Sequence, residues 1–351
     1  MLAEGLAEAF QLQAQGCTEL GSPLYAEILT RCHDDLRSGG IIAQVMDGWV
    51  GRPVADAVVL RLMGAVHRLA LRGEAPHLAR FYPSCGGNPE LPAAWEAFLQ
   101  VVQRDFDYVR ESLSRQVQTN EVNRCAALMA GFRCIAALAP GPLRILEIGT
   151  SAGLHQNWDR YRYERDGAPL WGDPASPVAI ECKWHGVPPR LAPSVEVGSR
   201  AGCDIAPLDA TDDETALRLQ SFIWPDQVAR LQSLRAALHL AARHRPTITE
   251  SSAGVWLADE LQTPRRGVTT VIYHSSMWWY MRREEREQVT HTIQAAGSRA
   301  SADAALAWLQ LEPKTRYKPT LSVQLWPGGE EVLNATAQAH GAEVWWQGDG
   351  A

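Results

Sequence analysis

Lysine is nearly missing from this sequence. Only Lys183, Lys314 and Lys318 are lysines among 33 basic residues, and the rest are arginine. Basic residues are also outnumbered by 40 acidic ones, a net charge of −7, so a general grip on nucleic acid is not expected. The arginine bias reads first as GC-rich coding and second as a sign of phosphate or carboxylate binding. The seven cysteines, at 17, 32, 85, 125, 134, 182 and 203, include no C-x-x-C pair and are odd in number. That argues against a zinc site or a disulfide framework, predicts no metal, and fits a reducing cytoplasm. No long apolar run is present, and Met1-Leu2-Ala3-Glu4-Gly5 lacks a basic start. Neither a signal peptide nor a membrane span is expected. Repeats and low-complexity tracts are absent as well.

What is present is enough apolar residue to build a core. The chain has 351 residues, 46% of them hydrophobic, which suggests one large domain or two. Residues 1–139 carry helical spacing: Leu6 and Phe10; Val54, Val58, Leu62, Val66 and Leu69; Trp95, Phe98, Val102 and Phe106; Leu128, Phe132 and Ile135. Tyr82-Pro83-Ser84-Cys85-Gly86-Gly87-Asn88-Pro89 interrupts them as a loop, and Pro140-Gly141-Pro142 closes the helical region. This region reads as a lid or substrate cap.

The character changes at Leu143-Arg144-Ile145-Leu146-Glu147-Ile148-Gly149-Thr150-Ser151-Ala152-Gly153-Leu154. An apolar run ends in an acid and two glycines four apart, and a helical pattern follows. That reads as a buried strand, a tight turn and a helix start. Such a turn lets backbone N–H groups approach a ligand closely; the plainer reading is a tight turn with no ligand. Further strands are expected at 200–207, 247–249, 268–273 and 304–311, with helices over 227–243 and 283–296. Leu321–Trp326 and 342–346 read as a terminal antiparallel pair. Residues 160–198, with two alternating runs and turns at Asp166-Gly167 and Gly172-Asp173-Pro174, read as an inserted β-rich subdomain. Alternating strands and helices over 140–351 predict an α/β doubly wound sheet.

Glu147-Ile148-Gly149-Thr150-Ser151-Ala152-Gly153 resembles the first motif of the class I S-adenosylmethionine (SAM) methyltransferases, with Ser151 where the middle glycine is usual. The resemblance implies a Rossmann-like methyltransferase sheet, for which the antiparallel terminal pair is a further mark, and SAM as cofactor. Glu147, Gly149, Thr150, Ser151 and Gly153 would then line the cofactor turn. Asp204, in Gly202-Cys203-Asp204-Ile205-Ala206-Pro207, would accept the ribose hydroxyls. Its distance from the turn exceeds the usual interval of about twenty residues, which an insertion explains; Glu164 and Asp166 are the rival acids. Ser252 stands where an adenine-binding acid is common. His274, after the fourth strand, would face the methyl group as a general base; a histidine bonded to nearby backbone is the structural alternative.

His155, Asp159, Arg160 and Trp278 are the candidate substrate-pocket residues. Ion pairing for Asp159 and Arg160, and core packing for Trp278, are the plainer accounts. Together the glycine turn, Asp159-Arg160-Tyr161-Arg162-Tyr163, Gly172-Asp173-Pro174, Asp204-Ile205-Ala206-Pro207-Leu208-Asp209 and Trp224-Pro225 resemble an uncharacterised bacterial family regarded as methyltransferase-like. The expectation is a methyltransferase acting on a small molecule. The alternatives are a non-catalytic SAM- or nucleotide-binding protein and, behind both, a nicotinamide dehydrogenase.

Overall fold

Leu143–Ile148 forms strand β1, and five of its six residues are buried. An apolar run of this length, covered on both faces, is what the centre of a parallel sheet requires. The structure is a computed structural model that describes residues 2–139, 141–315 and 318–346. The chain divides into two units, Met1–Thr119 with Asp212–Arg235, and Asn120–Thr211 with Ala236–Ala351.

The strands of the second unit follow β1 as β2 Arg162–Arg165, β3 Ala168–Gly172, β4 Ala179–Glu181, β5 Lys183–His185, β6 Val197–Asp204, β7 Ile248–Glu250, β8 Thr269–Ser275, β9 Leu306–Thr315, β10 Lys318–Trp326, β11 Glu330–Ala337 and β12 Glu343–Trp346. Nine form one sheet in the order β5-β12-β11-β10-β9-β8-β1-β6-β7. From β7 to β9 every neighbour is parallel. The chain runs from β1 outward to β6 and β7, then returns to β8 and β9 on the other side. The strand order therefore reverses at β1, and the crevice beyond the carboxyl ends of such strands is where open α/β sheets bind ligands.

Helices cover both faces of the sheet. On one side, Ala253–Glu260 and Arg283–Gly297 pack over Leu146, Ile148, Ile272 and Trp308. Leu309, one residue along, points the opposite way to Gly131 of the helix Cys125–Leu138, where a Cβ would come within 2.4 Å of its Cδ1. That is the period-two alternation of a strand. This last helix reads in sequence with the N-terminal helical region, but it belongs to the second unit, because its apolar faces are buried on the sheet.

Three expectations are corrected here. The helix expected after Gly153 is a seven-residue 3-10 stretch, Leu154–Arg160, interrupted at Asn157. The β-rich segment does form a small sheet, β3-β2-β4, with its hairpin at Asp166-Gly167, both residues at positive φ. It is not self-contained, however, since β5 leaves it to pair with β12 in the main sheet. At the C-terminal end, β10 and β12 do not pair with each other. Strand β11 lies between them, antiparallel to both, after a turn at Gly328-Gly329. A three-strand meander thus replaces the expected pair, which no longer separates one doubly wound class from another.

The first unit is helical. Its core includes Phe10, Leu24, Ile28, Leu62, Val66, Phe98, Val102 and Trp224. Residues 212–235 return to it, bringing Phe222 against Gly64, where a Cβ would lie 2.8 Å from the ring. The helix expected from Val54 begins at Val58, after Ala57 at φ 52°. No helix of the described residues is long and apolar enough to cross a membrane.

Candidate functional site

The turn after β1 is anchored through the neighbouring strand. Gly149 and Thr150 donate their backbone N–H groups to the Cys203 carbonyl at 2.9 and 3.1 Å. Ser151 donates its N–H to Asp204 Oδ2 at 2.8 Å, and Ala206 donates to Oδ1 at 2.9 Å. Asp204 therefore ends β6 against the glycine turn. Glu164 and Asp166 lie in and beside the separate small sheet.

Ser151 carries two costs. It is a non-glycine residue at φ 53°, a conformation that disfavours L side chains by about 1–2 kcal/mol. Its hydroxyl is buried with no hydrogen-bond partner among the described residues, which also costs free energy.

The two flanking glycines are explained by neighbours. At Gly149, φ 68°, a Cβ would stand 2.7–2.9 Å from Met277. At Gly153, φ 70°, it would stand 2.4 Å from Pro246. Met277 thus packs against the turn at Gly149.

Beneath the turn lies a buried polar group. Glu147, 2% exposed, accepts a hydrogen bond from Thr150 Oγ1. Its other oxygen is 3.2 Å from His155 Nδ1, an ion pair when the ring is protonated. His155 Nε2 donates to the Glu121 carbonyl at 2.9 Å, so the proton on that nitrogen is assigned by its partner. Burial, and then the Glu147 charge, hold the Tyr273 phenol well above its ordinary range. His155 belongs to the support of the turn rather than to an open pocket, being 3% exposed. Asn120 braces the same segment by accepting from Leu154 N–H at 2.9 Å.

His274 is fully buried and both ring nitrogens are engaged. Trp308 Nε1–H can only donate, so Nε2 accepts at 3.1 Å and Nδ1–H donates to Glu312 Oε1 at 2.7 Å. Trp278 stacks on the ring at 4.8 Å and 14°. The general-base role is therefore corrected, since no nitrogen is left for a substrate. Glu312 also accepts from the N–H groups of Met277 at 3.1 Å and Trp278 at 3.3 Å. His274 and Glu312 together fix the loop that lays Met277 on Gly149. Trp278 packs on His274 and Trp308.

Of the remaining candidates, Asp159 is held bidentately by Arg200 at 2.8 and 3.0 Å, and the Arg160 Nε is buried without a partner among the described residues. Ser252 precedes the helix Ala253–Glu260 and makes no capping bond with its side chain. Exposed apolar residues gather at the carboxyl ends of the strands: Ile205 after β6, Val255 after β7, and Trp279 and Tyr280 after β8. Glu312, Asn120 and Met277 went unrecognised in the sequence. Each sits far along the chain from the turn it serves, and none carries a local pattern.

The largely parallel sheet reversing at β1, with an acid from the adjacent strand tied to a strained turn, makes this a mixed α/β protein. The chain belongs to the uncharacterised protein family conserved in bacteria, DUF2332, which it matches over residues 7–346. No curated protein and no solved structure matches it.

Proposed function

We propose that the second unit binds SAM at the carboxyl ends of β1 and β6, and that the protein methylates a small molecule. One observation carries the reading. The turn residue Ser151, strained and with its hydroxyl orphaned, is joined to Asp204 at the switch point. The donor set suits the ligand. Each Asp204 oxygen accepts one backbone N–H and keeps a lone pair for a ribose hydroxyl, and Ser151 Oγ is a buried hydroxyl in need of a partner. Ile205, next to Asp204 in sequence, offers exposed apolar surface. Glu147, held by Thr150 and His155, places a carboxyl under the turn.

When bound, SAM supplies an electrophilic methyl on its own sulfonium, so the chain's task is alignment and exclusion of water. Met277 closes the Gly149 face and has to withdraw for the turn to receive a ligand, which its flexible side chain permits. His274 offers no base, so the acceptor is one that is nucleophilic without deprotonation by this residue. Calorimetry and thermal-shift measurements with SAM and S-adenosylhomocysteine test the reading. The absence of both heat and shift at millimolar ligand overturns it.

A second reading is a binding protein without transferase activity. The engaged nitrogens of His274 and the packing of Met277 on Gly149 favour it. Tight SAM binding with no S-adenosylhomocysteine formed across a panel of small nucleophiles selects this reading.

A further inference from the structure

The helical unit holds a second arrangement of reactive groups, independent of the switch point. Val58–Leu71 carries His67, which is completely buried. Its Nδ1 lies 3.0 Å from the Ser221 carbonyl oxygen, and its Nε2 lies 2.8 Å from Ser84 Oγ. A carbonyl oxygen only accepts, so Nδ1 bears the proton and the Nε2 lone pair faces Ser84, whose O–H donates to it. That is the order nucleophile, base, orienting acceptor, with a backbone carbonyl as the third member.

The loop is built to hold this contact. Pro83–Cys85 is a 3-10 turn closed by Gly86 at φ 82°. At Gly87, a Cβ would fall 2.4 Å from the backbone of Ala79 and Arg80, so only glycine lets the loop sit there. Ser84 N–H donates to the Pro225 carbonyl at 2.8 Å, which fixes the backbone of the residue itself. Tyr82 packs edge-on against His67 at 5.5 Å. Burial pushes the His67 pKa down to about 4, so at neutral pH the ring is in its proton-accepting form. Ser84 is 9% exposed and adjoins the partly exposed Cys85.

We propose that Ser84 is a nucleophile activated by His67, in a site for activated esters. The Oγ–carbon bond forms as the Ser84 proton passes to His67 Nε2. The carbon–oxygen bond to the leaving alcohol then breaks, and the alcohol departs with that proton. Water, deprotonated by the same nitrogen, cleaves the acyl-serine to the acid and restores Ser84, so ester and water become acid and alcohol. Two features select activated esters over amides. The base is weak, and a carbonyl stabilises an imidazolium less than a carboxylate does.

The test is labelling of the full chain with a fluorophosphonate probe, the adduct being located by peptide mass spectrometry. The expected result is a single adduct on Ser84, absent from Ser84→Ala, with His67→Gln slowing its formation about 10²–10⁴-fold. p-Nitrophenyl acetate should release one equivalent of p-nitrophenol in a burst that the fluorophosphonate abolishes. A folded wild-type chain that takes no label, or takes it on Cys85 or elsewhere, overturns the proposal. Because the adduct is located in the wild-type chain, misfolding of a variant does not blur the outcome.

Discussion

The backbone N–H of Ser151 and the carboxylate of Asp204 meet at 2.8 Å, joining two segments 53 residues apart and making one site of two strand ends. The same carboxylate holds the Ala206 N–H at 2.9 Å. Asp204 therefore shapes the turn before any ligand arrives.

On the proposed SAM reading, Asp204→Ala should weaken SAM binding by about 1–3 kcal/mol, because ribose hydroxyls would lose a charged acceptor and the turn its tie. Glu164→Ala and Asp166→Ala should leave affinity unchanged. Calorimetry on the three variants decides the matter. Normal binding by Asp204→Ala with loss in either of the others removes the assignment.

Gly149→Ala should destabilise the protein in two separable ways. An alanine at φ 68° costs about 1–2 kcal/mol, and the overlap with Met277 about 1–3 kcal/mol more. Adding Met277→Ala should recover only the share of the overlap due to Cγ and Cε, because the Cβ stays 2.9 Å away, a coupling that denaturant titration of the single and double variants can read. By itself, and on the same proposed reading, Met277→Ala should tighten SAM binding by opening the Gly149 face.

His274→Ala should lower stability rather than act on turnover alone. It leaves the Trp308 N–H without its acceptor and a largely buried Glu312 carboxylate without its strongest donor, a loss of about 2–4 kcal/mol. Glu312→Gln should loosen the 276–278 loop while His274 stays in place. A His274→Ala protein with an unchanged melting temperature would contradict this account.

His67 predicts a pH dependence of stability. Its pKa falls from 6.5 unfolded to about 4 folded, so between these values the unfolded chain binds more protons and stability rises with pH. The contribution is full above pH 6.5 and is lost as pH falls through about 4. At about 1.4 kcal/mol per pH unit it reaches about 3 kcal/mol. Denaturation midpoints of wild type and His67→Gln, followed from pH 7 to 4, should converge as pH falls. A constant difference across that range would contradict the prediction.

Much of the sheet was legible because its signals are local. The apolar run of β1, the Gly202-x-Asp204 end of β6 and the apolar β8 each declare themselves within a few residues. The Asp166-Gly167 hairpin does so through its positive-φ residues. Strand β11 was not legible. Glu330-Glu331-Val332-Leu333-Asn334-Ala335 is polar and weakly patterned, and it becomes a strand because β10 and β12 offer their edges. The short 3-10 stretch after Gly153 is likewise decided from outside. His155, Gln156 and Asn157 are drawn to Glu121, Thr247 and His244, and those bonds compete with an α-helix.

Composition, periodicity and the glycine spacing alone determined that this chain builds a helical part and an α/β part, and where the Gly149–Gly153 turn lies, since these depend on neighbours in sequence. Only the tertiary structure decided that residues 212–235 return to the helical unit. It likewise decided that Met277 rests on Gly149, and that His274 is spent on Trp308 and Glu312 while His67 faces Ser84. These outcomes rest on contacts between residues from 17 to more than a hundred apart in sequence, fixed by burial and by hydrogen bonds among buried polar groups.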